Sequence, residues 1–251
     1  MPMRMLLLAG MLITMPALAA RCVAESGAAT TALVELYTSE GCSSCPPADR
    51  WLSALAKRYA PERVVPLALH VDYWDYIGWK DPYAKREFSL RQRKLSLLQR
   101  MAMVYTPQVV LQGRDFRAWA GRAFDDAVAR INAQPAKARL RLSLLAATPT
   151  GLDVEASAEL LQPGEDAVLY LAAYQSRLES EVTAGENRGR RLTHDYVVLE
   201  WQGPFPVAGR AAQRRRLGLL PGARVADSGV AAFVQDSRTG EVLQALLRSP
   251  C

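Results

Sequence analysis

A strand-like run that leads directly into a Cys-x-x-Cys pair constrains this chain more than any other feature. Residues 33–38 are mostly apolar, and a polar turn follows them. Cys42 and Cys45 then open a segment whose large apolar side chains recur at helical spacing: Trp51, Leu52, Leu55 and Tyr59. This order predicts a strand, a turn and a helix whose first turn carries the cysteines.

The start of a helix suits a reactive cysteine. Its free backbone amides and the positive end of the helix dipole favour a thiolate over a thiol. We expect Cys42, at the mouth of the helix, to be the nucleophile. Cys45, one turn further in, would be shielded and would resolve the mixed disulfide that Cys42 forms. Pro46 and Pro47 are tolerated because first-turn amides have no partner within the helix.

The first residues read as an export signal. Arg4 precedes an apolar run over residues 5–16, and Ala17-Leu18-Ala19 forms a cleavage site, which predicts a signal peptide over residues 1–20. The run is shorter than the ~20 apolar residues that span a bilayer, so we expect no membrane insertion after cleavage. The predicted location is the periplasm or the extracellular medium, where disulfides persist.

Charge and cysteine content add two expectations. The formal net charge is +6, and its densest cluster is Arg210 with residues 214–216. Without interleaved aromatic residues or a nucleic-acid motif, this cluster predicts a solvated surface and no nucleic-acid partner. Cys22 and Cys251 remain at the two ends of the mature chain. They either pair with each other or stay as thiols that pair with other chains.

The predicted secondary structure differs between the two halves of the chain. Residues 28–136 alternate strands and helices, with a second strand near residues 63–71 and a helix from Pro82, capped by Asp81, to about Met103. A hairpin then reaches Ala120, and a helix follows over residues 123–133. Residues 137–251 read as short strands without clear helices, typical of an antiparallel sandwich. We therefore predict an α/β domain followed by a β-rich, sandwich-like domain.

The first domain resembles the thioredoxin superfamily in its order of elements. The resemblance implies a cis peptide bond between Thr106 and Pro107, facing the cysteine pair, with a backbone that the substrate contacts. Glu35 aligns with the buried carboxylate that assists proton transfer in that superfamily, although the loop from Glu35 to Cys42 is one residue longer here.

A narrower resemblance covers nearly the whole mature chain. Several long motifs match, in order, the exported family DUF1223, a domain of unknown function. They lie at residues 35–49, 70–75, 78–82, 105–108 and 186–194. This resemblance implies the architecture and leaves the reaction open.

Three functions remain open for the cysteine pair. The first is thiol–disulfide oxidoreductase activity on protein or small-molecule thiols, without a cofactor. The second is a copper-binding chaperone in which His70 joins Cys42 and Cys45, because thiolates and imidazole suit copper. Exported thioredoxin-like copper chaperones space their cysteines one residue wider. The third is an interaction module with a fixed Cys42–Cys45 disulfide.

Other polar and aromatic clusters have two interpretations each. His70 is either active or a packed, hydrogen-bonded histidine. Asp72, Asp75 and Asp81 bind calcium or serve as caps and surface ion pairs. The aromatic stretch at residues 73–79 walls a binding groove or covers the sheet and joins the two domains. Residues 186–191, with His194, bring positive charge to Cys42 or form a solvated loop.

Overall fold

The computed structural model describes residues 22–162 and 166–251. The predicted signal peptide therefore lies outside the described residues. The helices are α1 (Pro46–Arg58), α2 (Arg86–Leu98) and α3 (Arg122–Asn132), with short 3-10 helices at Asp72–Ile77 and Val225–Asp227. The strands are β1 (Cys22–Glu25), β2 (Ala32–Thr38), β3 (Val64–His70), β4 (Gln108–Leu111), β5 (Arg114–Asp115), β6 (Ala138–Thr148), β7 (Gly151–Leu160), β8 (Ala167–Gln175), β9 (Leu178–Glu181), β10 (Arg191–His194), β11 (Val197–Pro206), β12 (Arg210–Gly218), β13 (Ser228–Asp236) and β14 (Val242–Arg248).

One long mixed sheet organises the fold, which is α/β as predicted. Its strand order is β14-β13-β8-β11-β3-β2-β4-β5. Strands β2 and β3 are parallel, as expected for strands joined through a helix, and β11 adds to β3 in parallel. The C-terminal strands thus continue the sheet that β2 and β3 begin. Backbone pairing crosses residues 136–137, where the sequence predicted a domain boundary.

A second, smaller sheet packs on the C-terminal part of the long one. Its order is β1-β6-β7-β12. Leu140, Leu142 and Val154 from this sheet share a core with Leu171 and Val230 of the long sheet. The C-terminal residues therefore have a sandwich-like packing, and one of its two layers is the extension of the N-terminal sheet.

The helices cover both faces of the N-terminal strands. α1 and α3 bury Leu52, Leu55 and Phe124 on the face that carries Val34 and Leu36 of β2. α2 packs on the opposite face, with Phe88 and Leu95 in a cluster that includes Leu33, Tyr37 and Phe233. The alternation of β2 side chains between these two clusters follows from the period of a strand, so that both faces of the strand are buried.

The helix predicted from Pro82 to about Met103 is wrong at both ends. α2 begins at Arg86, with Lys85 at the N-cap position, and stops earlier than predicted, at Leu98. Asp81 does not cap it, because its carboxylate accepts hydrogen bonds from the backbone amides of Glu40 and Tyr83. The predicted hairpin strand to Ala120 is likewise shorter, since β5 ends at Asp115.

A buried ion pair joins α2 to the long sheet. Arg91 Nε donates to Glu35 Oε1 over 2.6 Å, and both side chains are buried. The Arg91 guanidinium also lies 4.5 Å from the ring centroid of Trp201 and 5.0 Å from that of Tyr170. Burial alone would lower the pKa of Arg91, but the charge of Glu35 raises it overall, so the guanidinium stays charged. The pair ties residues of β2 and α2 to β8 and β11.

We expect Arg91→Met to lower the free energy of unfolding by about 3–5 kcal/mol, because it leaves the Glu35 carboxylate buried without its partner. Urea unfolding of the purified protein measures this. Arg93→Met, on the exposed side of α2, is the matched control. The double variant Arg91→Met with Glu35→Leu should recover much of the loss, since no charge then remains buried. Equal stabilities of Arg91→Met and Arg93→Met would contradict the assignment.

Candidate functional site

The cysteine loop connects β2 to α1 as predicted. The amide of Cys42 donates to Ser39 O over 3.1 Å, and the amide of Cys45 donates to Cys42 O over 3.2 Å. Cys45 is the N-cap residue of α1, and prolines occupy its first positions. Cys42 and Cys45 form a disulfide, with their Cα atoms 5.5 Å apart. The two sulfur atoms therefore sit at the amino end of the helix.

The expected difference in accessibility between the two cysteines is absent. Cys42 and Cys45 are both 0% exposed. Trp74 and Ile77 lie against the loop so closely that a Cβ atom on Gly41 would be 3.2 Å from Trp74 Cβ and 3.3 Å from Ile77 Cδ1. The aromatic stretch is thus a cover at this point, with Tyr76 as its 82% exposed member.

A hairpin from the C-terminal half of the chain completes the cover. It consists of β9, β10 and their connecting tip, residues 182–190, and is called the covering hairpin below. Gly185, at a φ of +70°, lies so near Ile77 that a Cβ atom there would be 3.0 Å from Ile77 Cδ1. A residue without a side chain is required at this contact, both for its left-handed backbone and for the close approach.

Two side chains of the hairpin tip bond the cysteine loop directly. Asn187 is buried and donates through Nδ2 to the carbonyls of Glu40, at 2.8 Å, and Cys42, at 2.9 Å. Glu186 Oε2 accepts the backbone N–H of Ser43 over 2.9 Å. That hydrogen bond lowers the pKa of Glu186. The tip therefore brings a carboxylate, rather than its arginines, to the cysteine loop.

Beneath the loop lies a buried network of carboxylates and imidazoles. His70 Nδ1 is 2.7 Å from Asp81 Oδ2, which also accepts the amide of Glu40. Glu40 Oε1 lies 3.0 Å from His194 Nε2, and its Oε2 accepts the indole N–H of Trp79. The His70 and His194 rings meet edge to face, with centroids 4.9 Å apart. Residues far apart in sequence are thus held in one hydrogen-bonded group.

Asp49 extends this network into α1. It lies four residues after Cys45, on the same face of the helix. Its Oδ1 accepts the hydroxyl of Thr38 over 2.7 Å, and its Oδ2 is 3.9 Å from His194 Nδ1. Burial raises the pKa of Asp49, although His194 and His70 act against this.

His70 is a packed histidine with a shifted titration. Burial alone would lower the pKa of His70, but the charge and hydrogen bond of Asp81, with the charges of Asp49 and Glu40, raise it above its ordinary value. Burial alone would raise the pKa of Asp81, yet His70 and the amides of Glu40 and Tyr83 lower it. The two groups therefore stabilise each other's charged forms.

The residues proposed for a copper site are bonded to other partners. The sulfur atoms of Cys42 and Cys45 are bonded to each other, and His70 is held by Asp81. In the described part of the chain, no group of three or more histidine, cysteine or acidic side chains could hold a metal ion. Asp75 Oδ1 accepts the amide of Asp81, whose own carboxylate bonds His70 and the amide of Glu40.

The cis peptide bond expected between Thr106 and Pro107 is present. Gln108 pairs with Tyr37, so the preceding Pro107 lies beside the end of β2, where the cysteine loop begins. Trp74 Nε1 donates to Thr106 Oγ1 over 2.7 Å, which connects the 3-10 helix over the cysteine loop to the cis peptide bond.

Glu35 is not part of this assembly, because its side chain lies on the opposite face of the sheet, with Arg91. The partners that the sequence reasoning missed are Glu40, Asp49 and Asn187. Glu40 and Asp49 lie on either side of the cysteines in the sequence. An acidic side chain is costly to bury without a partner, and this cost was the signal that could have identified them as members of a polar network.

The His70–Asp81 pair predicts a stability that depends on pH. The folded-state pKa of His70 is raised above about 6.5, so its contribution is present below that pH and is lost as the pH rises through the folded value. Asp81→Asn should remove this decline. Urea unfolding of the oxidised protein between about pH 6 and pH 8.5 measures it. Asp126→Asn, on the exposed surface of α3, is the control and should keep the wild-type slope. Parallel pH profiles for wild type and Asp81→Asn would contradict the prediction.

Two solved protein structures superpose on this chain. A protein of Agrobacterium tumefaciens, solved as a structural-genomics target, superposes with a TM-score of 0.63 at 26% identity, over 89% of this chain and 96% of that one. HBP35 of Porphyromonas gingivalis superposes with a TM-score of 0.69 at 16% identity, over 89% of this chain and 76% of that one. The second likeness concerns the fold alone. Among proteins with curated functions, none matches this chain.

The profile of the family described as protein of unknown function DUF1223 matches residues 33–235. The match begins in β2, before the cysteine loop, and extends through the covering hairpin into β13. This chain belongs to the DUF1223 family.

Proposed function

We propose that this protein is an exported thiol–disulfide oxidoreductase of thioredoxin type, acting on protein or small-molecule thiols and disulfides. The observation that carries the proposal is the Cys42–Cys45 disulfide at the start of α1, directly after β2, with cis-Pro107 beside the end of that strand. The parallel β2-α1-β3 unit and the antiparallel β4 and β5 support the likeness to thioredoxins over residues 28–136.

The chemistry follows from the pair itself. In the oxidising direction, a substrate thiolate attacks Cys42 Sγ, the Cys42–Cys45 bond breaks, and Cys45 leaves as a thiolate that takes up a proton. A second substrate thiolate attacks the substrate sulfur of the mixed disulfide and releases the Cys42 thiolate. Two electrons pass from the two substrate thiols to the protein. In the reducing direction, the Cys42 thiolate attacks a substrate disulfide and Cys45 resolves the intermediate.

The residues around the pair contribute unequally to this proposal. Pro107 would present its backbone to the substrate, and the Thr106 hydroxyl is held by Trp74. The position of Glu35, paired with Arg91 on the other face of the sheet, does not support the proton-transfer role that the thioredoxin resemblance implies. Since Cys42 is fully covered, exchange requires the covering hairpin or the 3-10 helix Asp72–Ile77 to move aside.

The terminal cysteines support export to an oxidising compartment, the periplasm or the extracellular medium. Cys22 and Cys251 form a disulfide that joins β1 to the last described residue, with their Cα atoms 5.8 Å apart. Such bonds persist outside the reducing cytosol. Within the described residues, every helix is too short or too polar to cross a membrane.

The burial of both cysteines favours one alternative, an interaction module in which the Cys42–Cys45 disulfide is fixed. A buried disulfide closes a tight turn and resists reduction, as structural bridges do. A copper chaperone that uses Cys42, Cys45 and His70 is the other alternative, and it would require His70 to leave Asp81.

The reduction potential of the Cys42–Cys45 pair separates these functions. We expect a reversible transition between about −120 and −270 mV in glutathione and dithiothreitol buffers, measured by thiol labelling of the mature protein. The variant with Cys22→Ser and Cys251→Ser isolates the signal of this pair, and adding Cys42→Ser removes it.

A pair that stays oxidised below about −300 mV would overturn the oxidoreductase and favour the fixed disulfide. Copper is titrated in parallel into reduced protein. Tight binding that is lost in His70→Gln would favour the copper chaperone instead.

A further inference from the structure

The covering hairpin places a negative charge beside the first cysteine. Ser43 directly follows Cys42, and its backbone N–H is the group that Glu186 Oε2 accepts at 2.9 Å. The neighbouring Asn187 is buried and holds the carbonyl of Cys42 itself. The exposed Glu186 carboxylate is therefore bonded to the amide that directly follows Cys42, next to a buried contact of the same hairpin.

Two arginines share the hairpin tip with this carboxylate. Arg188 and Arg190, on the same tip, are exposed, and in the described part of the chain their side chains make no hydrogen bond or ion pair with the cysteine loop. Arg191 pairs with Glu179, further from the tip. On the buried side, Glu40 and Asp49 lie within 3.0 and 3.9 Å of the His194 ring nitrogens. Among the described charged side chains of the tip, Glu186 is thus the one that bonds the cysteine loop.

The hydrogen bond from the amide of Ser43 to Glu186 also affects a Cys42 thiolate. Pro46 and Pro47, at the start of α1, have no N–H, so the helix start offers few amides to a thiolate. With the N–H of Ser43 bonded to Glu186, another donor of this loop is committed. Both the charge and the hydrogen bond act against the thiolate, because nearby negative charge and lost donors each disfavour an anion.

We propose that Glu186 sets the redox poise of the Cys42–Cys45 pair by disfavouring the Cys42 thiolate and hence the reduced form. This inference rests on the proposed oxidoreductase function and names a positioning residue that regulates it. Destabilising the reduced form shifts the equilibrium with external thiols towards the disulfide, so Glu186 makes the pair a weaker oxidant and a stronger reductant.

The test compares Glu186→Gln with wild type in the background that lacks the terminal cysteines. Glutamine keeps an oxygen to accept the N–H of Ser43 but removes the charge. We expect the equilibrium constant with glutathione to shift about three- to tenfold towards the reduced form, a rise of about 15–30 mV in potential. The pKa of the Cys42 thiol, followed by thiolate absorbance, should fall in parallel. Glu186→Ala, which also frees the N–H of Ser43, should shift both quantities further.

Glu181→Gln is the matched control, because it removes one exposed charge from β9 of the same hairpin. It should leave both quantities at the wild-type values. If the wild-type pair cycles but Glu186→Gln behaves like Glu181→Gln, the role of Glu186 is overturned and the oxidoreductase stands. If Glu186→Ala shifts the potential while Glu186→Gln does not, the hydrogen bond alone matters and the electrostatic proposal is wrong. If the wild-type pair does not cycle at all, both proposals fail together.

Discussion

The pairing of β11 with β3 is the contact on which the arrangement of the site depends. Val197 lies opposite Ala68 in a parallel register, and the amide of Ala68 donates to Tyr196 O over 2.8 Å. β10 ends at His194, just before this contact, while β3 ends at His70. One backbone register therefore brings the two histidines together and sets the covering hairpin over the cysteine loop. Without it, Glu40 would be a buried carboxylate with no imidazole beside it.

Covering the cysteine loop removes its polar groups from water, so they need hydrogen-bonding partners within the protein. Buried backbone carbonyls need partners, and leaving one unpaired costs roughly 1–3 kcal/mol. Asn187 donates to the carbonyl of Glu40 and to that of Cys42, which also accepts the amide of Cys45, and Asp81 accepts the amide of Glu40. The buried carboxylates need partners as well, and His70 and His194 are hydrogen-bonded to Asp81 and Glu40. The covering hairpin is thus part of the site, and the loop depends on it for hydrogen bonds.

The sequence predicted the local elements of the site better than their neighbours. The strand, the cysteine turn, α1 and the cis-Pro107 bond follow from short patterns and a family resemblance, because each depends on residues close in the chain. The addition of β11 to β3 depends on two segments about 130 residues apart, and an edge strand carries no mark of its partner. The placement of Asp81 failed for a similar reason. An aspartate before a proline is a good N-cap, but here Glu40 and His70 compete for the same carboxylate.

Opposing electrostatic effects meet at Cys42, and their balance bears on the direction of electron flow. The amino end of α1 favours a thiolate by about 0.3–1 kcal/mol when exposed and up to about 2 kcal/mol when partly buried. Two prolines weaken this end, and the carboxylate of Glu186 opposes it. Pairs that are strong oxidants owe this to a stabilised reduced form. The Ser44 hydroxyl, whose oxygen lies 3.3 Å from Cys42 Sγ, and the amino end of α1 favour the thiolate, whereas Glu186 and the two prolines act against it. In the proposed oxidoreductase, Glu186 therefore shifts the balance towards giving electrons rather than taking them.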